Sequence, residues 1–183
     1  MSLSQTASRW PGWLKPVTNA VLFQLCWLAC VLGGNYWALA AMLLLVMVHA
    51  GWIVDRDDLG RELRLVLPLI SAGIAFDTLL LQVGWLSFAD HNSAVIPFWL
   101  MVLWLAFAST VRHSLSGLLK QPFVALLFGA LGAPWSYFLG DKLGAVNATT
   151  EGLIAIGLFW GALLLWVCAQ LRRPVLNNPG ETL

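Results

Sequence analysis

One apolar stretch spans residues 63–86 and reads LRLVLPLISAGIAFDTLLLQVGWL, with a single acidic side chain, Asp77, near its middle. A helix needs about 20 predominantly apolar residues to cross the hydrocarbon core of a bilayer. The stretch meets this requirement, so it predicts a transmembrane helix. It also makes the acidic residue at its centre the first candidate for function.

The composition of the whole chain agrees with a membrane location. Apolar residues make up 60% of the 183 residues, charged residues make up 10%, and the mean hydropathy is +0.79. Ordinary globular domains contain about 45–50% apolar and about 25% charged residues. These values exclude a disordered chain, a nucleic-acid binder and a disulfide-rich secreted module. The net charge of +1 does not indicate a charged partner.

Five further apolar runs occur along the chain, and short polar or charged segments separate them. Gly33-Gly34-Asn35 predicts a tight turn between the first two runs, and Asp90-His91-Asn92 ends the third. We therefore predict an all-α integral membrane bundle of six transmembrane helices, which forms a single domain over residues 1–183. The predicted spans are 17–32, 36–54, 63–86, 94–111, 122–139 and 152–171.

Lysine and arginine are distributed unequally between the two sides of this bundle. With six spans, the side that carries both termini holds nine of the ten basic residues, and the other side holds only Lys142. Cytoplasmic loops of membrane proteins are enriched in these residues, so we predict that both termini are cytoplasmic. The first span lacks an obvious cleavage site, and we expect it not to be a signal peptide. The nine residues are Arg9, Lys15, Arg56, Arg61, Arg64, Arg112, Lys120, Arg172 and Arg173.

Asp77 is the most informative residue, because an ionised carboxylate at the bilayer centre costs at least about 2.5–3.5 kcal/mol. We expect it to face the bundle interior, with Gly73 and Gly84 on the same helix face. Its depth makes Asn35 and Tyr137 the best candidate partners. Two interpretations stay open. Asp77 is a proton carrier, ligand anchor or catalytic acid, or it is a neutral group that holds a neighbouring helix.

Polar residues near the ends of the second and fourth spans are further candidates. Asn35 begins the second span and His49 lies towards its inner end, on nearly the same face. Helix capping by Asn35 and a structural hydrogen bond from His49 are favoured over ligand binding. In the fourth span Ser109 and His113 share a face, as a nucleophile and its base would. A hydroxyl that bonds its own helix backbone is favoured over that chemistry.

The fifth span contains a packing motif followed by a helix breaker. Gly129 and Ala133 form a small-xxx-small pair, which lets two helices approach closely. Pro134 removes one helix hydrogen bond and predicts a kink. Broken helices line binding sites in many transporters, so Ser136 and Tyr137, which follow the proline, are candidate ligand contacts. Helix packing is the favoured alternative.

Eleven tryptophans are many for a chain of this length. Those near the predicted interfaces fit the aromatic belts of membrane proteins. Four lie deeper, where they line a pocket for an acyl chain or a flat ligand or, in the favoured interpretation, pack against lipid and helices. These four are Trp27, Trp104, Trp135 and Trp160. The three cysteines, Cys26, Cys30 and Cys168, lie in apolar runs and are predicted to be buried small hydrophobes.

Motifs for cofactors and metals are missing from the sequence. There is no Walker A loop, GxGxxG, HExxH or CxxC, so we predict neither a cofactor nor a metal site. The acidic second loop, residues 55–64, has Arg56 and Arg61 among its carboxylates. It also lacks the glycine and terminal glutamate of an EF-hand. We expect this loop to be a cytoplasmic surface feature.

Six strings carry a resemblance that covers nearly the whole chain. They are NYW at 35–37, FDTLL at 76–80, GWLSF at 84–88, PFWLMVLWLAF at 97–107, HSL at 113–115 and FGALGAPWSY at 128–137. Together they resemble a bacterial inner-membrane family that is catalogued as a domain of unknown function. The resemblance implies a six-helix protein encoded near cyclopropane-fatty-acid-synthase-like methyltransferases. It thus implies a connection with lipids and a lipid-modifying partner enzyme, and it supplies no catalytic residues.

Three functions from different classes are compatible with these observations. An accessory protein in lipid or fatty-acyl modification or movement would bind membrane lipids near an intramembrane polar site. A small proton-coupled transporter or channel would use Asp77 as its protonatable group. A structural or assembly subunit would use its polar residues only to hold the bundle. A cavity that reaches Asp77 and opens towards lipid favours the first function, and a filled core favours the third. Whether the chain is an enzyme is left open by the sequence.

Overall fold

The computed structural model describes residues 11–54, 58–89 and 91–172, which form a bundle of helices with one short pair of strands. The elements are α1 (Leu14–Val48), π1 (His49–Ile53), α2 (Leu59–Gln82), β1 (Leu86–Ser87), α3 (Phe98–Ala108), a 3₁₀-helix (Leu118–Lys120), α4 (Pro122–Leu127), π2 (Phe128–Gly132), α5 (Ala133–Lys142), β2 (Asn147–Ala148) and α6 (Thr150–Arg172). The all-α prediction is therefore confirmed. The elements α4, π2 and α5 follow one another without a break, and we call them the α4–α5 helix.

The chain reverses its direction within α1. Gly34 has φ of 60° and ψ of −150°, which interrupts the helix. Asn19 contacts the segment just after α3, Asn35 contacts the start of α3, and His49 again contacts the segment after α3. The chain therefore runs along α3 and back, as the predicted turn at the glycine pair requires. We call residues 14–33 the first arm of α1 and residues 35–48 its second arm.

Within the described residues, four helical stretches are long and apolar enough to cross a membrane. They are Leu14–Ile53, Leu59–Gln82, Pro122–Lys142 and Thr150–Arg172. The first stretch contains both arms of α1, and the remaining apolar helix, α3, is shorter than the others. Length and composition thus show a multi-pass membrane protein, and the predicted number of six spans is not confirmed.

The predicted fourth span, residues 94–111, has a shorter helix than expected. The helix of this span, Phe98–Ala108, contains only 11 residues. Pro97 precedes it in an extended conformation with ψ of 151°. Beyond its end the hydroxyls of Ser109 and Thr110 donate to carbonyls three residues earlier, at 2.7 and 2.6 Å. Such bonds compete with the helical ladder, and the chain continues as turns.

The two ends of the bundle differ in charge. At one end, which we call the strand end, β1 and β2 pair antiparallel close to Lys142 at the end of α5. At the opposite end, which we call the basic end, Arg112, Lys120 and Arg172 line one small surface pocket. The larger number of described basic side chains at the basic end agrees with the unequal distribution of lysine and arginine along the sequence.

The α4–α5 helix and α6 pack backbone to backbone. A Cβ atom added to Gly129 would lie 2.4 Å from the carbonyl oxygen of Trp160. One added to Gly157 would lie 2.8 Å from the carbonyl oxygen of Ala130. Larger residues at either position would force the helices apart, so the predicted close contact at Gly129 is confirmed. The three cysteines are buried and free, as expected.

Candidate functional site

Asp77 is fully buried on α2 and joins this helix to two others. Its Oδ2 atom accepts a hydrogen bond of 2.7 Å from Nε1 of Trp104 on α3 and one of 2.6 Å from Oη of Tyr137 on α5. Its Oδ1 atom is buried and has no hydrogen-bond partner among the described residues. The predicted contact with Tyr137 is therefore present, and Trp104 is a partner that the sequence analysis missed.

Gly73 makes room for the indole beside Asp77. A Cβ atom at Gly73 would lie 2.1 Å from the side chain of Trp104, so the close approach of α2 and α3 depends on this glycine. The predicted position of Gly84 on the same helix face is wrong. Helix α2 ends at Gln82, and Gly84 adopts φ of 76° in the turn that leads to β1.

Asn35 was predicted to cap its own helix or to contact Asp77, and its role in the structure is a different one. Its Oδ1 atom accepts a hydrogen bond of 3.1 Å from the backbone N–H of Trp99, in the first turn of α3. The first N–H groups of a helix have no partner within the helix. Asn35 thus caps α3 across the bundle, because the reversal at Gly34 brings it to the start of that helix.

A cavity of about 590 Å³ lies between the first arm of α1, α3 and the α4–α5 helix. Pockets for small ligands have volumes of about 300–1,000 Å³. The wall is mainly aromatic and aliphatic, with a few polar side chains among these residues. The polar side chains that line it are Gln24, Thr110, Ser114, Ser136 and Tyr137.

All four deep tryptophans line this cavity. Trp104 and Trp160 stack with their ring centroids 4.6 Å apart. Nε1 of Trp27 donates a hydrogen bond of 2.9 Å to Oγ of Ser136, which joins the first arm to α5. Within the described ranges, Nε1 of Trp160 is buried and has no partner. The geometry therefore favours the pocket interpretation of these tryptophans over simple packing.

The mouth of the cavity opens at the side of the bundle. Phe128 and Trp135 line it from the α4–α5 helix and are 42% and 61% exposed. Ala20 and Gln24 line it from the first arm and are also exposed. All four lie within helical stretches that are long and apolar enough to cross a membrane. In a bilayer this mouth would face the acyl chains.

The π-helical segment π2 shapes one wall of the cavity. Phe128, Gly129 and Gly132 of this segment line the cavity. Pro134 lacks the N–H that would bond the carbonyl of Ala130, and the wider turn of π2 directly precedes it. The helix is thus irregular just before Pro134, in the form of a π-helix, and the predicted kink stays a prediction.

A second polar cluster, which we call the histidine cluster, lies at the basic end of the bundle. It consists of His49, Glu62, Arg112 and His113. The Nε2 atoms of His49 and His113 lie 3.4 and 3.3 Å from Oε1 of Glu62. Nε of Arg112 lies 3.5 Å from Oε2 of the same carboxylate. The two imidazole rings meet edge to face, with their centroids 5.0 Å apart.

Glu62 corrects the prediction that the whole second loop is a surface feature. It is only 4% exposed, because α2 already includes it and turns it towards the two histidines. Asp58 and Arg61 behave as predicted and form an exposed ion pair at 3.0 Å. Residues 55–57 lie outside the described residues.

The structure does not bring Ser109 and His113 together as a catalytic pair. Oγ of Ser109 donates to the carbonyl of Ala106, and the ring of His113 lies against His49 instead. Helix α3 ends at Ala108, so helical spacing no longer places the two side chains on one face. The favoured interpretation, a hydroxyl that bonds its own backbone, describes Ser109.

Asn19 positions the segment that carries His113, and the sequence analysis missed it. This fully buried side chain donates a hydrogen bond of 3.1 Å to the carbonyl of Ser109. Its Oδ1 atom accepts bonds from the backbone N–H and the hydroxyl of Ser114, at 3.3 and 2.7 Å. These bonds hold the turns after α3. An asparagine inside the first predicted span was the signal that could have identified it.

Comparison with known families supports one part of the resemblance noted in the sequence, membership of a domain family of unknown function. The chain belongs to the DUF2878 family. This family is described as a protein of unknown function, and its model matches residues 16–166. The matched range includes Asp77, the cavity and the histidine cluster. No curated protein and no solved structure matches the chain.

Proposed function

We propose that this DUF2878 protein binds an apolar, lipid-class molecule in its intramembrane cavity and serves in lipid or fatty-acyl modification or movement. The observation that carries the proposal is the aromatic cavity with its mouth at the side of the bundle. A ligand could enter through this mouth directly from the acyl chains, without crossing water. This route suits a lipid and does not suit a water-soluble solute.

The polar groups of the cavity suit a lipid that carries a hydroxyl, ester or acid group. Gln24 lies at the mouth, and Ser136 and Tyr137 lie on the α5 wall. A pocket that is mostly apolar, with a few converging polar groups, binds its ligand by shape and orients it by hydrogen bonds.

In this proposal Asp77 is a positioning residue. It does not line the cavity, but it accepts hydrogen bonds from Trp104 and Tyr137, which both do. The carboxylate therefore fixes the orientation of two side chains in the ligand-binding wall. Its buried and unpartnered Oδ1 atom supports the second candidate, a proton-coupled transporter in which Asp77 carries the proton.

The proposed membrane arrangement has six crossings in the bacterial inner membrane, with both termini on the cytoplasmic side. Three features support it: the reversal at Gly34, the position of α3 beside both arms of α1, and the basic residues gathered at one end. The shorter helix α3 would complete its crossing through the turns that follow it. A lipid-modifying partner enzyme would act at the membrane surface beside the bundle.

The proposal is tested with a substitution that should fill the cavity and leave the helix packing unchanged. Gly132 lines the cavity, and a Cβ atom there would meet only the Phe128 ring, at 3.9 Å. The variant Gly132→Leu should therefore place its side chain in the cavity. Gly60→Leu is the matched control, because Gly60 is exposed on α2 and a Cβ atom there meets nothing within 4 Å.

Two measurements decide the outcome. Protein purified in mild detergent is analysed by mass spectrometry for bound lipid, and a photoactivatable fatty acid is crosslinked to it in membranes. We expect Gly132→Leu to lose bound lipid and crosslinking at the cavity wall, while Gly60→Leu matches the wild type. Equal lipid binding by all three proteins would refute the proposal. So would an unchanged lipid extract from cells that lack the protein.

A further inference from the structure

Three side chains with metal-binding atoms converge at the basic end of the bundle. His49 lies on π1, Glu62 in the first turn of α2, and His113 in the turns after α3. One ligand atom of each residue lies within 4.8 Å of the other two. None of the three residues lines the cavity, so the cluster is separate from the proposed lipid site.

Two of the three converging atoms are buried and make no hydrogen bond within the described residues. Oε1 of Glu62 and Nε2 of His113 are buried and have no hydrogen-bond partner in the part of the chain that the structure describes. A buried polar atom without a partner costs about 1–3 kcal/mol, and a charged one costs more. A cation between the three side chains would satisfy both atoms at once. The histidine side chains are 14% and 18% exposed, so water has some access to the cluster.

Two of the three distances between the ligand atoms fit a tetrahedral metal ion. Two metal–ligand bonds of about 2.0–2.1 Å at the tetrahedral angle place their ligand atoms about 3.3 Å apart. The two distances from histidine Nε2 to Oε1 of Glu62 are 3.4 and 3.3 Å. Two imidazoles and one carboxylate also form the ligand set of several catalytic zinc sites, which leave a fourth position for water.

Arg112 determines which carboxylate oxygen faces the histidines. Its Nε atom lies 3.5 Å from Oε2 of Glu62, and Oε1 is the atom that faces the two rings. Partners that orient a ligating carboxylate are usual around metal sites. The same contact also suits a competing account, in which Arg112 and the histidines neutralise Glu62 without a metal.

We propose that His49, Glu62 and His113 bind one divalent first-row transition-metal ion, with Zn²⁺ as the first candidate. Imidazole nitrogens favour such an ion over Ca²⁺ and Mg²⁺, which prefer oxygen ligands. The proposal departs from the sequence-based expectation of no metal site. The reason is that Glu62, which the sequence places in a surface loop, is buried against both histidines.

The test titrates the full-length protein, purified in detergent and stripped with a chelator, with Zn²⁺ against a chromophoric chelator. We expect one Zn²⁺ per chain, and Co²⁺ in its place should give the visible absorption of a tetrahedral site. His113→Gln and Glu62→Gln should each weaken binding at least about 100-fold. His91→Gln is the matched control, since His91 is outside the cluster and its ring contacts the carbonyl of Val95.

Loss of stoichiometric binding in both cluster variants, with binding retained in His91→Gln, would support the metal site. No binding by the wild type, or equal binding by His113→Gln, would overturn it. If Glu62→Gln fails to fold, Zn²⁺ binding is compared in His49→Gln and His113→Gln instead. Loss of binding in both variants would support the site, and unchanged binding by His113→Gln would overturn it. Zn²⁺ should also raise the Tm of the wild type and leave that of His113→Gln unchanged, because a ligand stabilises only the protein that binds it.

Discussion

Oη of Tyr137 donates a hydrogen bond of 2.6 Å to Oδ2 of Asp77, and this bond connects the α4–α5 helix with α2. Nε1 of Trp104 donates to the same oxygen at 2.7 Å. A single buried carboxylate oxygen thus holds three helices in place. Two of the side chains that it holds form part of the cavity wall.

The first prediction concerns Asp77 itself. An asparagine can present its side-chain oxygen to both donors, so Asp77→Asn should fold with a Tm close to that of the wild type. Asp77→Leu removes the acceptor and leaves two buried donors without a partner, at about 1–3 kcal/mol each. We expect Asp77→Leu to unfold at a clearly lower temperature in detergent. Equal Tm values for the two variants would contradict a structural role for this oxygen.

The same pair of variants separates the two candidate functions. Asp77→Asn has no titratable proton at this position. If Asp77 only positions Trp104 and Tyr137, the folded Asp77→Asn protein should retain its bound lipid in the mass-spectrometric assay. A proton-coupled transporter would instead lose proton-dependent uptake in this variant, measured in proteoliposomes with a pH-sensitive dye.

The second prediction concerns the glycine opposite the indole. A Cβ atom at Gly73 would lie 2.1 Å from the side chain of Trp104, so Gly73→Ala should displace the indole. Overpacking of this kind costs about 1–3 kcal/mol, which should lower the Tm. Gly60→Ala, on the same helix, meets nothing within 4 Å and should leave the Tm unchanged or raise it slightly. A Gly73→Ala protein as stable as this control would show that α2 and α3 can separate without cost.

The third prediction concerns orientation in the membrane. Alkaline phosphatase is active only outside the cytoplasm, so its fusion to the C-terminus should be inactive. A fusion after Ala145, at the strand end of the bundle, should be active. The basis is the position of Lys142 at the end of the bundle opposite Arg112, Lys120 and Arg172. An active C-terminal fusion would overturn the proposed topology.

The fourth prediction concerns the acidic loop. Asp58 forms an exposed ion pair with Arg61, and Arg56 adds a second positive charge nearby. We expect calorimetry to detect no tight binding of Ca²⁺ or Mg²⁺. Binding that disappears in the double variant Asp57→Asn/Asp58→Asn would contradict this. The same double variant should retain any Zn²⁺ bound by the histidine cluster, because neither aspartate belongs to it.

Local pattern was sufficient for the features that depend on a few neighbouring residues. The length and hydropathy of each run predicted helices in an apolar environment, because a bilayer requires both. The glycine pair before Asn35 predicted the reversal, since Gly34 adopts a positive φ that other residues rarely adopt. Pro134 predicted a kink through its missing N–H, and the structure has a π-helix directly before it.

Prediction was less successful where side-chain bonding competes with the helix. The run of residues 94–111 is apolar almost throughout, but its helix ends at Ala108. Asn19 offers an acceptor and a donor to the backbone after that point, and it comes from a segment 90 residues away in sequence. A hydropathy pattern does not predict such a bond, because it describes each apolar run separately and the bond joins two runs.

By itself, the sequence determined that this chain is a helical membrane protein with a buried acidic residue and a turn at Gly34. Only the tertiary structure decided that Asp77 bonds Trp104, that Asn35 caps α3, and that four tryptophans surround one cavity. It also placed Glu62 between two histidines. These relationships depend on how helices distant in sequence pack and on which face each one turns inward, and composition and periodicity along a single helix do not contain that information.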